Sequence, residues 1–495
     1  MTQTISCYDI FELTLTGPVE GNPFTDVTLS TRFQHNNRVM EVEGFYDGET
    51  EGQVGLYRVR LMPDETGEWH YITKSNVPEL DGISGSFECL AARSGVHGPV
   101  RVVNTYHFAY ADGKRYFPFG TTCYAWVHQP PELQEQTLKT LASAPFNKIR
   151  MCVFPKDYTY NKNEPALHPY RLATDKDQGW DFSRFHIPFW RNFEQRLRQL
   201  AELGIEADII LFHPYDRWGF SKMGAENDDR YVRYVVARLA ACRNVWWSLA
   251  NEYDINASKT LADWERFFQL IETHDLHQHL RSIHNWIMQD DHSTRNFYDF
   301  TKPWVTHCSI QHAHTDLTNV WRELYRKPVV IDEACYEGNI PDGWGNLSAL
   351  EMVHRFWEAA VQGGYCGHGE TYLDPDDILW WSKGGVLRGA SPQRIAFLRQ
   401  VLEAMPEGRI DPLERLSNSC QASGGVAGTY ILHYFGRHQP ASVTFHLPAG
   451  EFRAEILDTW EMTITPVEGV FRDHMTIALP GKPYLAVRIM KITKT

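Results

Sequence analysis

The stretch Val245-Trp-Trp-Ser-Leu-Ala-Asn-Glu252 decides how the rest of the chain is read. It is a short apolar run, β-branched and aromatic, without polar alternation, and it stops at an Asn-Glu pair. Such a run suits a strand buried on both faces, as in a parallel sheet. In a β/α barrel the residues just past such a strand stand on the rim where active sites are built. Pro328-Val-Val-Ile-Asp-Glu333 repeats the design downstream. The two glutamates lie 81 positions apart, each at the tip of a hydrophobic strand.

Outward from these runs, apolar segments alternate with helical ones between residues 106 and 405. Strands are predicted at Tyr116–Thr121, Asn147–Phe154, Ile205–His213, Val245–Ala250, Arg281–His284, Trp304–Ile310, Val329–Asp332 and Gly364–His368. Helices fall between them, among them Phe189–Leu203, stopped by Gly204 in a C-cap position. Eight strand-plus-helix units are what an α/β fold of the (β/α)₈ TIM barrel type requires. The competing doubly wound sheet usually announces a Gly-rich phosphate loop after an early strand, and none is present.

The flanks read differently. Residues 1–105 alternate apolar and polar in short runs between turns such as Asp47-Gly48 and Asp81-Gly82, the pattern of a β-sandwich. Tyr57 to Tyr71 reads as a hairpin from an immunoglobulin-like domain, serving as support or as a cleft wall. Residues 406–495 return to alternation and predict a second, C-terminal β-sandwich.

At 495 residues the chain is long enough for two or three domains. The formal charge of −14 disfavours nucleic acid or an anionic membrane as partner. Nothing approaches the roughly 18 apolar residues of a spanning helix. The start, Met1 to Cys7, lacks a secretory signal's basic and apolar segments. The nine cysteines contain no CxxC pair, so neither a disulfide frame nor a thiolate zinc site is indicated. A reduced, cytoplasmic protein is expected, and a homo-oligomer is compatible with the sequence.

Two carboxyls on a barrel rim can divide the work of glycosidic cleavage. One stays protonated to donate to a leaving oxygen; the other stays ionised to attack. Glu252 follows two tryptophans, and apolar walls favour its acid form, which makes it the general-acid candidate. Glu333 is then the nucleophile, and Asn251 is placed to donate to a sugar 2-hydroxyl. A single strand-end Glu more often makes a salt bridge or a cap; two on strands four and seven outweigh that reading. Double displacement predicts carboxyls roughly 5–5.5 Å apart.

An Asn-Glu ending strand four and a Glu ending strand seven resemble the clan A glycoside hydrolases, which include the family 5 enzymes and β-galactosidases. The resemblance extends over the whole chain, with an N-terminal immunoglobulin-like domain carrying a G-x-W-x-Y element, a barrel and a C-terminal sandwich. It implies that Glu252 is the acid/base, Glu333 the nucleophile, and Arg150 the arginine that keeps the nucleophile ionised. It also implies a strand-six residue bonded to the nucleophile, for which His312 is the candidate, and a strand-eight tryptophan, Trp380 or Trp381.

The remaining candidates are substrate contacts. His213, His284, His312 and His368 fall at predicted strand ends, with His128 near the first, and neutral imidazoles there suit sugar hydroxyls. Glu370 either binds hydroxyls or caps a loop. Asp208 and Glu206 lie within strand three and are expected to face barrel-interior partners. Trp126, Trp218, Trp286 and Trp344 sit in predicted loops, where a flat ring suits a sugar face, although large proteins also bury tryptophan as core. The partner is thus a carbohydrate, processed without metal or organic cofactor by a retaining, exo-acting glycosidase. Two rivals are a metal-dependent amidohydrolase-like barrel and a non-catalytic carbohydrate-binding protein. The first normally shows His-x-His after strand one, where Thr121-Thr-Cys-Tyr124 stands instead; His312-x-His314 comes after strand six.

Overall fold

Eight short parallel strands close into a barrel at the centre of the chain. They are β1 (Gly120–Thr122), β2 (Lys148–Cys152), β3 (Glu206–Phe212), β4 (Val245–Ala250), β5 (Arg281–Ser282), β6 (Cys308–Gln311), β7 (Val329–Glu333) and β8 (Tyr365–His368). Hydrogen bonding runs in the order β5-β4-β3-β2-β1-β8-β7-β6, and a parallel bridge from His284 to Ser309 closes the ring. The computed structural model describes residues 3–50, 52–174, 179–288, 291–373 and 376–492. Every residue of β2, β3, β4, β7 and β8 is buried, so β4 reads as an unbroken apolar run, while the polar residues of β2 and β3 are buried inside the barrel.

Among the described residues the helices of eight residues or more are α1 (Pro131–Ser143), α2 (Ile187–Glu202), α3 (Ala225–Leu239), α4 (Leu261–His274), α5 (Thr318–Tyr325), α6 (Ala349–Val361) and α7 (Ser391–Glu403). Among the described residues no helix joins β5 to β6, so the eight predicted strands are present but one unit lacks its helix. The predicted first strand is also displaced. Arg115–Tyr116 joins Val100–Val103 and His107–Tyr110 in a separate antiparallel sheet. Its Phe108 and Tyr116 rings pack on Trp246, at 5.3 and 6.0 Å between centroids. Pro118, which has no N–H to donate, separates this sheet from β1.

In a regular strand neighbouring side chains face opposite ways, and β2 obeys this: Lys148 and Arg150, two apart, both enter the barrel. β7 does not. Ile310 pairs with Ile331, but Gln311 pairs with Glu333, so Asp332 is an extra residue on β7. This β-bulge lets two consecutive acids reach partners from β2. Asp332 meets Lys148 Nζ at 2.7 Å, and Glu333 meets Arg150 Nη1 at 3.2 Å. Space for the bulge comes from β8, where a Cβ on Gly367 would lie 2.5 Å from the Asp332 carbonyl oxygen. Gly367→Ala is therefore expected to push the bulge aside and misplace Glu333. Kinetics should show kcat/KM down by about 10²-fold, the cost of an ångström-scale displacement.

Inside the barrel, Lys148 is wholly buried between Asp208 (2.6 Å) and Asp332. Asp332 also accepts from Ser309 Oγ at 2.6 Å, and Lys148 with Arg150 holds its carboxyl well below the usual range against the cost of burial. Glu206 accepts from Trp246 Nε1 at 3.1 Å. Asp208 and Glu206 thus face interior partners, as expected from their place in strand three.

The N-terminal part pairs Gln3–Ser6, Ser84–Leu90, Gly67–Ser75, Leu29–His35 and Arg38–Glu43 in one sheet, and Phe11–Gly17, Gly55–Leu61 and Phe45–Glu49 in another. Trp69, Phe87, Phe33 and Val59 are buried within it. The expected Tyr57–Tyr71 hairpin does not form. Gly55–Leu61 and Gly67–Ser75 lie in different sheets, and Met62 to Thr66 crosses between them. Arg60 grips Glu194 of α2 at 2.7 and 3.1 Å, and Arg238 of α3 reaches Asp47 at 2.8 Å. These buried ion pairs seat the sandwich against the helices. In the C-terminal part a six-stranded sheet and a two-stranded one enclose a core that includes Phe435, Phe445, Phe452 and Val487. Among the described residues no helix is long and apolar enough to cross a membrane.

Candidate active site

Both predicted acids stand where strand alternation breaks down. Glu252 follows β4 with φ 53° and ψ 56°, the left-handed region, which costs a non-glycine residue about 1–2 kcal/mol. That turn lets Asn251 and Glu252, though adjacent, both line the cavity containing Glu333. The cavity measures about 710 Å³. Its aromatic wall comes from Tyr124, Tyr158, Tyr160, Tyr215, Tyr336 and Trp286, with Trp344 and Trp381. Larger clefts of about 1050 and 790 Å³ lie beside the N-terminal sandwich and at the barrel base, away from the strand tips.

The two carboxyls are held differently. Glu252 Oε2 accepts from the Tyr215 hydroxyl. Gln311, oriented with its amide nitrogen toward the surrounding acceptors, donates to Glu252 Oε1 at 3.2 Å. Burial raises the Glu252 pKa, while the Lys156 ammonium and the Tyr215 hydrogen bond oppose the rise. Glu333 faces the Arg150 guanidinium at 3.2 Å and His284 Nε2 at 3.9 Å. Burial pushes Glu333 up to about 8, and the Tyr336 hydroxyl beside it acts in the opposite sense.

Asn251 Oδ1 accepts from Tyr124 Oη at 2.8 Å and Arg150 Nη2 at 3.4 Å, leaving its Nδ2 without a partner. Both nitrogens of His284, His312 Nε2, Trp381 Nε1 and the Tyr336 hydroxyl also lack a well-formed hydrogen bond. Buried polar atoms are rarely left so. Asn251, His312, Tyr336 and Trp381 bring four such atoms to one cavity, ready for a hydroxyl-rich ligand. The imidazoles are neutral: burial takes His312 down to about 4 and His284 well below its usual value.

Asn251, Glu252, His312, Glu333, Trp286, Trp344 and Trp381 line the cavity, with Arg150 and His284 behind the Glu333 carboxyl. Other candidates lie elsewhere. His368 bonds Thr121 Oγ1 at 3.0 Å and stacks on Phe146 outside the barrel ring. His213 donates to the Phe154 carbonyl at 3.2 Å and does not line the cavity. His128 stacks on Phe189, and Trp126 is core, tucked under by its own 3₁₀ turn. Glu370 caps a loop, accepting from the Arg388 and Gly389 backbone at 2.6 and 2.8 Å. Trp218 donates to Glu164 at 3.0 Å, away from the cavity. Trp380 donates to Thr121 at 2.8 Å, so the strand-eight tryptophan facing the cavity is Trp381. His312 accepts from the His314 backbone, and its ring makes no hydrogen bond to Glu333; His284 Nε2, at 3.9 Å, and Tyr336 stand beside that carboxyl instead. Sequence reasoning missed the tyrosines and Lys156; for Lys156, Tyr158 and Tyr160 the signal was the tyrosine-rich stretch after strand two, and Tyr124, Tyr215 and Tyr336 lie in the loops after strands one, three and seven.

These placements separate two tryptophans kinetically. Trp286→Ala should raise KM about tenfold through lost ring contact, whereas Trp218→Ala should leave KM and kcat unchanged in steady-state assays.

Among the described residues no group of three or more His, Cys, Asp or Glu side chains is arranged to hold a metal ion. The closed barrel between β-rich flanks has the fold of the clan A glycoside hydrolases. A glycoside hydrolase family 5 protein from Bacteroides vulgatus matches it with a TM-score of 0.62 and 14% identity, over 80% of this chain and 94% of its own. A candidate glycoside hydrolase from Bacteroides vulgatus is 38% identical, with a TM-score of 0.91 over 99% of this chain and all of its own. The apiosidase-like catalytic domain matches residues 103–383, and two domains of unknown function match residues 4–76 and 420–490. The chain belongs to the apiosidase-like family. No curated protein matches it.

Proposed function

We propose that the protein is a retaining exo-glycosidase that releases a terminal sugar by double displacement. The observation that carries this reading is the pairing of two unlike carboxyls in one cavity, Glu252 held by Tyr215 and Glu333 held against Arg150. Glu333 attacks the anomeric carbon while Glu252 protonates the departing oxygen. Glu252 then takes a proton from the water that frees the sugar, and the configuration is kept. Arg150 stabilises the attacking carboxylate, Tyr336 faces it, and Asn251 Nδ2 is free for the 2-hydroxyl. Exo action is supported by a strap across the cavity: Tyr160 donates to Asp342 at 2.6 Å, joining the loops after β2 and β7.

The family name makes an apioside the first substrate to try, followed by a panel of aryl pyranosides and furanosides. Proton NMR of the first-formed product tests the mechanism. Retention of anomeric configuration and release of single sugars from a chain end are expected. Initial inversion would overturn double displacement, and internal cleavage would overturn exo action.

A further inference from the structure

Lys156, in the loop after β2, is a buried cation with no salt bridge among the described residues. Its Nζ lies 3.6 Å from the Tyr124 ring centroid, 4.4 Å from Tyr215, 4.8 Å from Tyr158 and 5.5 Å from Trp381. Cation–π contacts hold an ammonium electrostatically without neutralising it. Two of the caging rings also hold the reactive groups, since Tyr124 bonds Asn251 and Tyr215 bonds Glu252.

We propose that Lys156 is a positioning residue for the acid/base cycle, its caged positive charge favouring ionised Glu252 in the step where that carboxylate must accept a proton from water. This rests on the assignment of Glu252 above. The other groups facing Glu252 are Tyr215 from the loop after β3, Gln311 from β6, Arg150 from β2 and Asp254 from its own loop. Of these only Arg150 is cationic, and it is committed to Glu333 and Asn251. Lys156 itself is faced by Cys152, Arg150 and Glu252. Burial brings its own titration down to about 8, so the charge is present at neutral pH and fades above it.

The test is Lys156→Met in the full chain, with Lys156→Arg as the charge-keeping control and thermal melts to establish folding. Carboxyl ¹³C NMR of glutamate-labelled protein, with Glu252 identified by its loss in Glu252→Gln, reads the titration directly. An upward move of about one pH unit in Lys156→Met is expected, as for removal of a nearby opposite charge. With an activated aryl glycoside, kcat should fall about tenfold near pH 6 and recover as pH rises, with the acidic limb moved by the same amount. A charge-free packing role would lower kcat equally at every pH. An unmoved Glu252 titration in folded Lys156→Met overturns the proposal, whatever the activity. Failure of the wild type to cleave any glycoside would count against the proposed function instead.

Discussion

Glu333→Ala should lose at least about 10⁴-fold in kcat/KM, because the variant has no group to form the covalent intermediate and water has to attack unaided. Added azide or formate should restore turnover in that variant, with inverted configuration for an azide product, since a small anion can occupy the space of the missing carboxylate. Glu252→Ala should behave differently. With a poor leaving group it should lose about 10²–10⁴-fold, the range of general acid catalysis. With a leaving group that departs unprotonated, formation of the intermediate should be nearly untouched, and its hydrolysis should become limiting. Equal losses on good and poor leaving groups would remove Glu252 from the acid role.

The largest stability effect is expected at Lys148. Lys148→Met keeps the chain length but leaves the Asp208 and Asp332 carboxylates facing each other without their shared cation. Breaking a buried ion pair by removing one partner costs about 3–5 kcal/mol, because the remaining charge is uncompensated. Asp332 is held well below the usual carboxylate range, so its contribution is present above the unfolded-state pKa and fades as pH falls through the lower folded value. The loss in Lys148→Met should therefore be greatest at neutral pH and shrink in acid, as read by denaturant unfolding of both proteins across pH. A variant as stable as wild type at pH 7 would contradict this account of the barrel interior.

Much of the architecture was legible because parallel strands buried on both faces leave long apolar runs, as in β3, β4 and β7. Both acids were legible for the same reason, since each ends such a run. The histidines were not. Position at a strand tip gives depth along the barrel, but the side of the wall depends on local backbone detail, and His368 turned outward to Phe146 while His312 turned in. Trp126 was a candidate for sugar stacking because it falls in a loop, but its short turn folds back into the core. The missed end of the cavity, Tyr158 and Tyr160, comes from an insertion with no periodicity to read, and Tyr215 and Tyr336 from loops.

The extra residue in β7 also separates two kinds of genetic change. Point substitutions within β7 itself alter one contact each and leave the backbone path intact. A one-residue deletion within Val329–Glu333 restores simple alternation, and then Asp332 and Glu333 cannot both face inward. Either the acid that anchors Lys148 or the acid that meets Arg150 is turned to the outside of the wall. The barrel tolerates changes of spelling in this strand far better than changes of length, and lineages descended from this chain should keep the residue count from Pro328 to Glu333 even where the letters drift.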